Sequence, residues 1–299
     1  MKKDIFLLDG ANGTCLWAKT DDKGPVWRYN KLFPDKVVEL ADEFITAGSD
    51  FVLSNTFSAN HPSVEPFDFS VEEIVREGVI LAKDAAKGRA KVLLDIGPLT
   101  GLLIPFGKIA KEEAREFFGE MLKYGMMEKP DGVILETFMD LEMLKIACEE
   151  AVKYDVPLLC SMSFTKYNPK KGGRTMFGNT PAQIAKELAA FRPEAIGLNC
   201  SEGPEETLPI IKEFSEATDI PLIYKPNAGM PKVEGGSEKD KEVFYSALYH
   251  TLIHPSTFND VNGEYPLTES ENIGRVPEGQ TRYSVFSLWD TYRNLHQLM

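Results

Sequence analysis

Short apolar runs alternate with longer stretches of helical periodicity through the first three quarters of the chain. The runs are Ile5–Leu8, Phe51–Ser54, Lys91–Ile96, Val133–Leu135, Pro157–Ser163, Ala195–Asn199 and Pro221–Lys225. Most are nearly continuous in apolar side chains rather than strictly alternating, the pattern of strands buried on both faces of a parallel sheet. Between the runs, Val37, Leu40, Ala41, Phe44 and Ile45 recur at helical spacing and are closed by Gly48. Ser70 with Glu73 predicts a capping box ahead of Ile74, Val75, Gly78, Leu81 and Ala82. Comparable stripes cover 111–125, 140–153, 181–191 and 205–217.

Alternation of this kind predicts an α/β protein, either a (β/α)8 TIM barrel or a doubly wound open sheet. The strand ends favour the barrel. Asp9-Gly10-Ala11-Asn12-Gly13-Thr14, Ser54-Asn55-Thr56, Asp95-Ile96-Gly97-Pro98, Glu136-Thr137, Asn199-Cys200-Ser201 and Pro226-Asn227-Ala228-Gly229 all follow a strand with small or polar residues. A barrel site draws on the carboxyl ends of many strands, whereas a doubly wound sheet concentrates its site at one switch point. The texture changes near Glu234-Gly235-Gly236-Ser237, which predicts a barrel over 1–234 and an atypical segment over 235–299. There, Phe244, Ala247, Leu248, Thr251 and Leu252 are spaced as in a helix, and 255–279 reads as a Pro/Asn/Gly-rich loop. Arg282–Leu288 reads as an eighth strand followed by a helix over Trp289–Leu298, or the two form one continuous helix. The last βα segment of the barrel is thus atypical or replaced.

Charge and cysteine usage narrow the function. The 299 residues carry 33 Lys+Arg against 46 Asp+Glu, a net charge of −13, which repels phosphodiester backbones and anionic lipid. No apolar run approaches the roughly 20 residues that span a bilayer. The apolar stretch before Asp9 is too short for a signal-peptide core. The 4 cysteines, Cys15, Cys148, Cys160 and Cys200, are too scattered for a disulfide framework, and CxxC, CC and HExxH are absent. A cytoplasmic protein with no nucleic-acid or membrane partner is the expectation.

Candidate chemistry gathers at the strand ends. Asp9 and Glu136 are carboxylates suited to holding an ammonium group or to acid–base work, or else to capping the next helix and forming a salt bridge. Gly10 and Gly13 allow close approach of backbone to a ligand, but DGANGT lacks a phosphate-binding fingerprint. Cys200 is placed to ligate Zn2+, to act as a nucleophile, or simply to pack, and the helix starting near Pro204 is positioned to lower its pKa. Cys160, inside a strand, and Cys148, on a helical stripe, read as packing residues. His61 lies in a loop without an evident partner.

In order, LLDGANGTCL (7–16), LSNTFSAN (53–60), DIGPLTG (95–101), DGVILETFMDLEMLKIA (131–147), GRTMFGNTP (173–181), GLNCSEGPEETLPII (197–211) and IYKPNAGMPKVE (223–234) resemble the homocysteine S-methyltransferase family, above all the homocysteine-binding barrel of cobalamin-dependent methionine synthase. The resemblance implies a barrel that presents zinc to the homocysteine sulfur, which then accepts a methyl group from a corrinoid or another donor to give methionine. It implies that Asp9 and Glu136 hold the substrate ammonium, with Gly10 and Thr56 beside its backbone atoms. Cys200 becomes the first zinc thiolate and a catalytic residue, and Asn227 a weak ligand near the metal. Methylcobalamin is the implied methyl donor, and a corrinoid protein or domain the implied partner. The family's two remaining zinc thiolates come from a GGCCG segment on the eighth strand, and this chain has no cysteine after Cys200.

FYSALYHTLIHPSTFNDVNGEY (244–265) and YSVFSLWDTYRNLH (283–296) resemble a different family, the calcium-dependent α-mannosidases of glycoside hydrolase family 92. There the Trp-Asp pair matching Trp289 and Asp290 contacts sugar, and the stretch around His250 belongs to a helical toroid. Three expectations follow: a homocysteine methyltransferase impaired in zinc binding, a non-catalytic amino-acid-binding barrel without metal, and, with least support, an α-mannosidase-related glycosidase.

Overall fold

The computed structural model describes residues 5–228, 264–266 and 273–275. The chain divides into two compact units, 1–230 and 231–299. In the first, six strands form one parallel sheet in chain order: β1 (Phe51–Leu53), β2 (Lys91–Ile96), β3 (Gly132–Phe138), β4 (Leu158–Met162), β5 (Ala195–Asn199) and β6 (Leu222–Lys225). Each strand pairs with the next one in sequence, so the sheet has no switch point. The result is a half-barrel rather than a doubly wound sheet; a complete eight-stranded barrel is not seen among the described residues.

The helices are α1 (Asn12–Ala18), α2 (Tyr29–Leu32), α3 (Pro34–Thr46), α4 (His61–Val64), α5 (Val71–Ala86), α6 (Lys111–Met127), α7 (Leu141–Ala151), α8 (Pro181–Leu188) and α9 (Pro204–Ala217). The capping box predicted at Ser70 is present: the Ser70 hydroxyl accepts from the Glu73 amide, and the Glu73 carboxylate accepts from the Ser70 amide, both at 3.1 Å. Thr180 and Gln183 build a second one at the start of α8. The residues expected as a strand at Ile5–Leu8 form no regular ladder. The Asp50 carboxylate takes the Leu7 amide at 2.7 Å in place of a main-chain carbonyl, while the Leu7 carbonyl accepts from Asp50 and Phe51. In the second unit, part of the expected 255–279 loop pairs as antiparallel strands, β7 (Glu264–Pro266) with β8 (Ile273–Arg275). The eighth strand or helix expected over 282–298 lies outside the described residues.

Alternation along each strand sorts the two faces of the sheet. Leu94, Ile96, Val133, Leu135, Cys160, Met162, Ile196 and Leu198 pack outward in one large core with residues of α5 to α9. The opposite, concave face carries Leu53, Leu93 and Ile134, against which Leu8, Phe51 and Leu159 lean. Cys148 and Cys160 sit in the outer core with their sulfurs 3.6 Å apart, the packing role expected of them. No described helix is long and apolar enough to cross a membrane.

Two glycines report how tightly the inner face is built. A Cβ on Gly197 of β5 would lie 1.9 Å from the Ile223 carbonyl oxygen, whereas a Cβ on Gly13 of α1 would meet nothing within 4 Å. Gly197→Ala is therefore expected to cost about 3 kcal/mol or more through forced separation of β5 and β6. Gly13→Ala should instead stabilise by about 0.5–1 kcal/mol by favouring the helical backbone. Urea unfolding midpoints of the two variants check both signs.

Candidate active site

The polar residues at the strand ends converge. Asp9 precedes α1 but does not cap it: the cap position is Ala11, without a side-chain bond. The Asp9 carboxylate instead accepts from the Leu53 amide at 2.9 Å and from Asn12 Nδ2 at 3.0 Å, which fastens the first segment to the end of β1. Its other oxygen, Oδ1, lies 3.5 Å from Lys225 Nζ, and Glu136 Oε2 lies 3.4 Å from the same nitrogen. Three residues from the first segment, β3 and β6 thus meet at one ammonium group, with side-chain exposures of 2%, 10% and 21% for Asp9, Glu136 and Lys225.

Asp95, at an inward position of β2, is the third carboxyl of this cluster. Its main chain is held on both sides: its amide donates to Ser54 Oγ at 3.0 Å and its carbonyl accepts from Thr56 Oγ1 at 2.6 Å. Its Oδ1 is buried and has no hydrogen-bond partner. Thr56 is fully buried, and its hydroxyl is engaged by Asp95 and Ser54. Gly10 is half-buried, and a Cβ there would approach Phe44 Cε1 to 2.7 Å, so the position is needed for packing against α3.

The electrostatics follow from burial and shared charge. Burial raises the pKa of Asp9, opposed by Lys225 and by the bonds from Leu53 and Asn12. Burial likewise raises Glu136, with Lys225 opposing and Asp9 reinforcing. Asp95 is pushed well above the usual carboxylate range by burial and then by Glu136. For Lys225, burial favours the neutral amine, but Glu136, Asp9, Asp95 and Cys200 outweigh it and hold the ammonium form.

Glu136 is aimed by a bulge. Between Leu135 and Phe138 the register of β3 on β4 shifts, and Thr137 adopts φ of +67°, a costly conformation for a β-branched residue. Buried Asn199, at the end of β5, clamps it: Asn199 Oδ1 accepts from the Thr137 amide at 2.8 Å and Nδ2 donates to Thr137 Oγ1 at 2.7 Å. Ser161 also donates to Oδ1, at 2.8 Å. Cys200 follows directly, at φ of +44°, and is exposed. Protein packed around its sulfur raises the thiol pKa, Glu136 and Asp95 add to this, and Thr137 and Lys225 oppose it. The direction is opposite to the lowering expected from α9. Asn227 is exposed, just beyond β6. His61 has partners after all: it opens α4, with Nδ1 3.3 Å from Glu120 Oε2 and its ring stacked on Phe117.

Asp9 and Lys225 line an open cavity of about 940 Å3, walled also by Leu7, Phe51, Leu93 and Leu159 and, at the amino ends of the strands, by Lys91, Asp131 and Glu194. A concave sheet face with convergent ionisable groups at the carboxyl ends of its strands is the arrangement of a barrel active site. Residues 6–257 match the homocysteine S-methyltransferase family. The chain belongs to that family.

Among its relatives, the methionine synthase of Mycobacterium leprae is 28% identical over 76% of this chain and 20% of its own length. The chain therefore spans about one fifth of that protein. The metallated form of the homocysteine methyltransferase MmuM from Escherichia coli superposes with a TM-score of 0.67 at 19% identity, covering 76% of this chain and 85% of that one. Its apo form gives 0.61 at 18%, over 75% and 82%. These two establish the shared fold. Residues 229–299 match the catalytic domain of glycosyl hydrolase family 92, which overlaps the end of the first match.

A catalytic zinc takes three protein ligands and keeps one position open. Among the described residues, no three His, Cys, Asp or Glu side chains are grouped to hold a metal ion, and Cys200 is the thiol at this rim. The described donor set does not fit a catalytic zinc.

Sequence reasoning named Asp95 and Asn199 only within strand-end clusters, without a role of their own, and passed over Lys225. Strand parity was the available signal for Asp95 and Lys225, since alternate residues of KVLLDI and LIYK face the concave side. The clamp on Thr137 is testable. Asn199→Ala removes three hydrogen bonds in a buried setting and should cost about 2–4 kcal/mol. Adding Thr137→Gly, which relaxes φ, should return part of that loss in denaturant unfolding.

Proposed function

We propose that the first unit binds homocysteine by its α-ammonium group and presents the sulfur for methyl transfer, giving methionine. The observation that carries this reading is the convergence of Asp9 and Glu136 on one ammonium nitrogen, at 3.5 and 3.4 Å. Two carboxylates that already hold an ammonium in a buried, preorganised setting are suited to a second one from an amino acid. Family membership supports the choice of homocysteine.

In this reading Asp9 and Glu136 orient the amino acid, and Lys225 opposes the burial that favours their neutral forms. The narrow backbone at Gly10 lets the ligand approach the end of the first segment, with Thr56 beneath it. The substrate sulfur extends toward the Cys200 and Asn227 rim. There its thiol loses its proton to solvent and the thiolate attacks the methyl carbon: an S–C bond forms, the bond from methyl to donor breaks, and its electron pair stays with the donor. A methylcobalamin-type corrinoid, carried by a separate protein or domain, is the proposed donor, and the cytoplasm the proposed setting, in keeping with four cysteines that are all free thiols.

The charge assignment is tested by calorimetry of homocysteine binding. Glu136→Gln should weaken binding by about 1.5–3 kcal/mol, roughly 10- to 150-fold, through loss of a charge-assisted hydrogen bond. Equal affinity in both proteins would leave Glu136 a structural role.

The sparse thiol set favours a second reading, an amino-acid-binding barrel without metal. Losing two thiolates weakens zinc sites by orders of magnitude. Purified protein is expected to hold well under one equivalent of zinc and to turn over slowly. One equivalent that survives a mild chelator, and disappears in Cys200→Ala, would instead show that replacement ligands exist. The match of residues 229–299 to a glycosidase domain makes hydrolysis of an aryl α-mannoside a worthwhile check.

A further inference from the structure

The pocket holds more acid than its bonding pattern uses. Lys225 reaches Asp9 and Glu136, and Asp9 also has the Leu53 amide and Asn12. Asp95 has none of these. Its residue is 4% exposed, its main chain is fixed by Ser54 and Thr56, and its Oδ1 has no partner. A buried carboxylate without a bonded cation or donor is costly, and the group escapes that cost by keeping its proton.

We propose that Asp95 is the third acidic group of the amino-acid pocket, a neutral carboxylic acid while the pocket is empty, and that it surrenders its proton when the ligand's ammonium enters. Binding is then an exchange of one cation for one proton. Before the exchange the cluster holds two carboxylates, one ammonium and one neutral acid, a net charge of −1. Afterwards it holds three carboxylates and two ammonium groups, again −1. A second cation thus enters a buried site without changing the net charge of the cluster. The groups that face Asp95 are Glu136, Lys225 and Asp9. Cys200 interacts with it more weakly. Glu136 and Lys225 come from β3 and β6, Asp9 from the first segment. Burial and Glu136, which favour the protonated form, outweigh Lys225.

This proposal rests on the amino-acid reading above, and the experiment separates the two. L-methionine has no thiol, and its ammonium stays protonated when held by carboxylates, so a proton released on its binding comes from the protein. Calorimetry of the full chain in buffers of different ionisation enthalpy should show close to one proton released per methionine bound. Over the range in which Asp95 stays protonated, affinity should rise about tenfold per pH unit. Asp95→Asn should bind without proton release and with a flat pH profile. Infrared difference spectra of the unmodified protein, which need no variant to fold, should lose a protonated-carboxyl band when methionine binds. No binding by the unmodified protein would overturn the amino-acid reading and this proposal with it. Binding without proton release, equal release in Asp95→Asn, or no infrared change would overturn the role of Asp95 alone.

Discussion

Lys225, at the end of edge strand β6, reaches two buried carboxylates, Asp9 of the first segment and Glu136 of central β3, 216 and 89 residues away in sequence. Each carboxylate alone would be penalised by burial, and so would the ammonium. Together they offset one another, and the arrangement ties the first segment, β3 and β6 to one point. The same interaction defines the pocket. It fixes where a positive charge is accommodated, at the carboxyl ends of the strands.

The rest of the site serves to hold those groups in place. Ser54 and Thr56 spend their hydroxyls on each other and on the main chain of Asp95, so the strand end is rigid where the third carboxyl emerges. The bulge at Thr137 turns Phe138 into the outer core and leaves Glu136 on the concave side. Its unfavourable φ is maintained by Asn199, whose amide satisfies both the amide and the hydroxyl of Thr137. Local strain at β3 is thus balanced by hydrogen bonds from β5, as is usual where a side chain must be aimed.

The layered α/β character was legible because buried parallel strands read as continuous apolar runs and the helices between them carry stripes and caps. Asp9, Glu136 and Cys200 were legible as strand-end chemistry. Lys225 was not, because a lysine before Pro226 reads as a solvated strand end, and only closure of the sheet brings it to Asp9. Asp95 was legible as part of a polar strand end, but its burial beside Glu136 and Lys225 is a property of the folded chain. For Cys200, proximity to the start of α9 is visible in sequence, whereas the protein packed around its sulfur and the nearby carboxylates, which raise the thiol pKa, are properties of the folded chain. The Ile5–Leu8 strand failed because Asp50 competes for its amide.

The most direct measurement of this balance is the stability of Lys225→Met as a function of pH. Removing the ammonium leaves buried carboxylates uncompensated, and the account predicts a loss of about 3–5 kcal/mol near neutral pH. Asp9, Asp95 and Glu136 all have folded pKa values above their usual ones. Their ionisation in the fold therefore removes stability as pH rises, and the variant should regain stability relative to the parent as acid returns their protons. A loss of the same size at pH 4.5 and pH 7.5, or no loss at either, would contradict the claim that Lys225 balances these carboxylates.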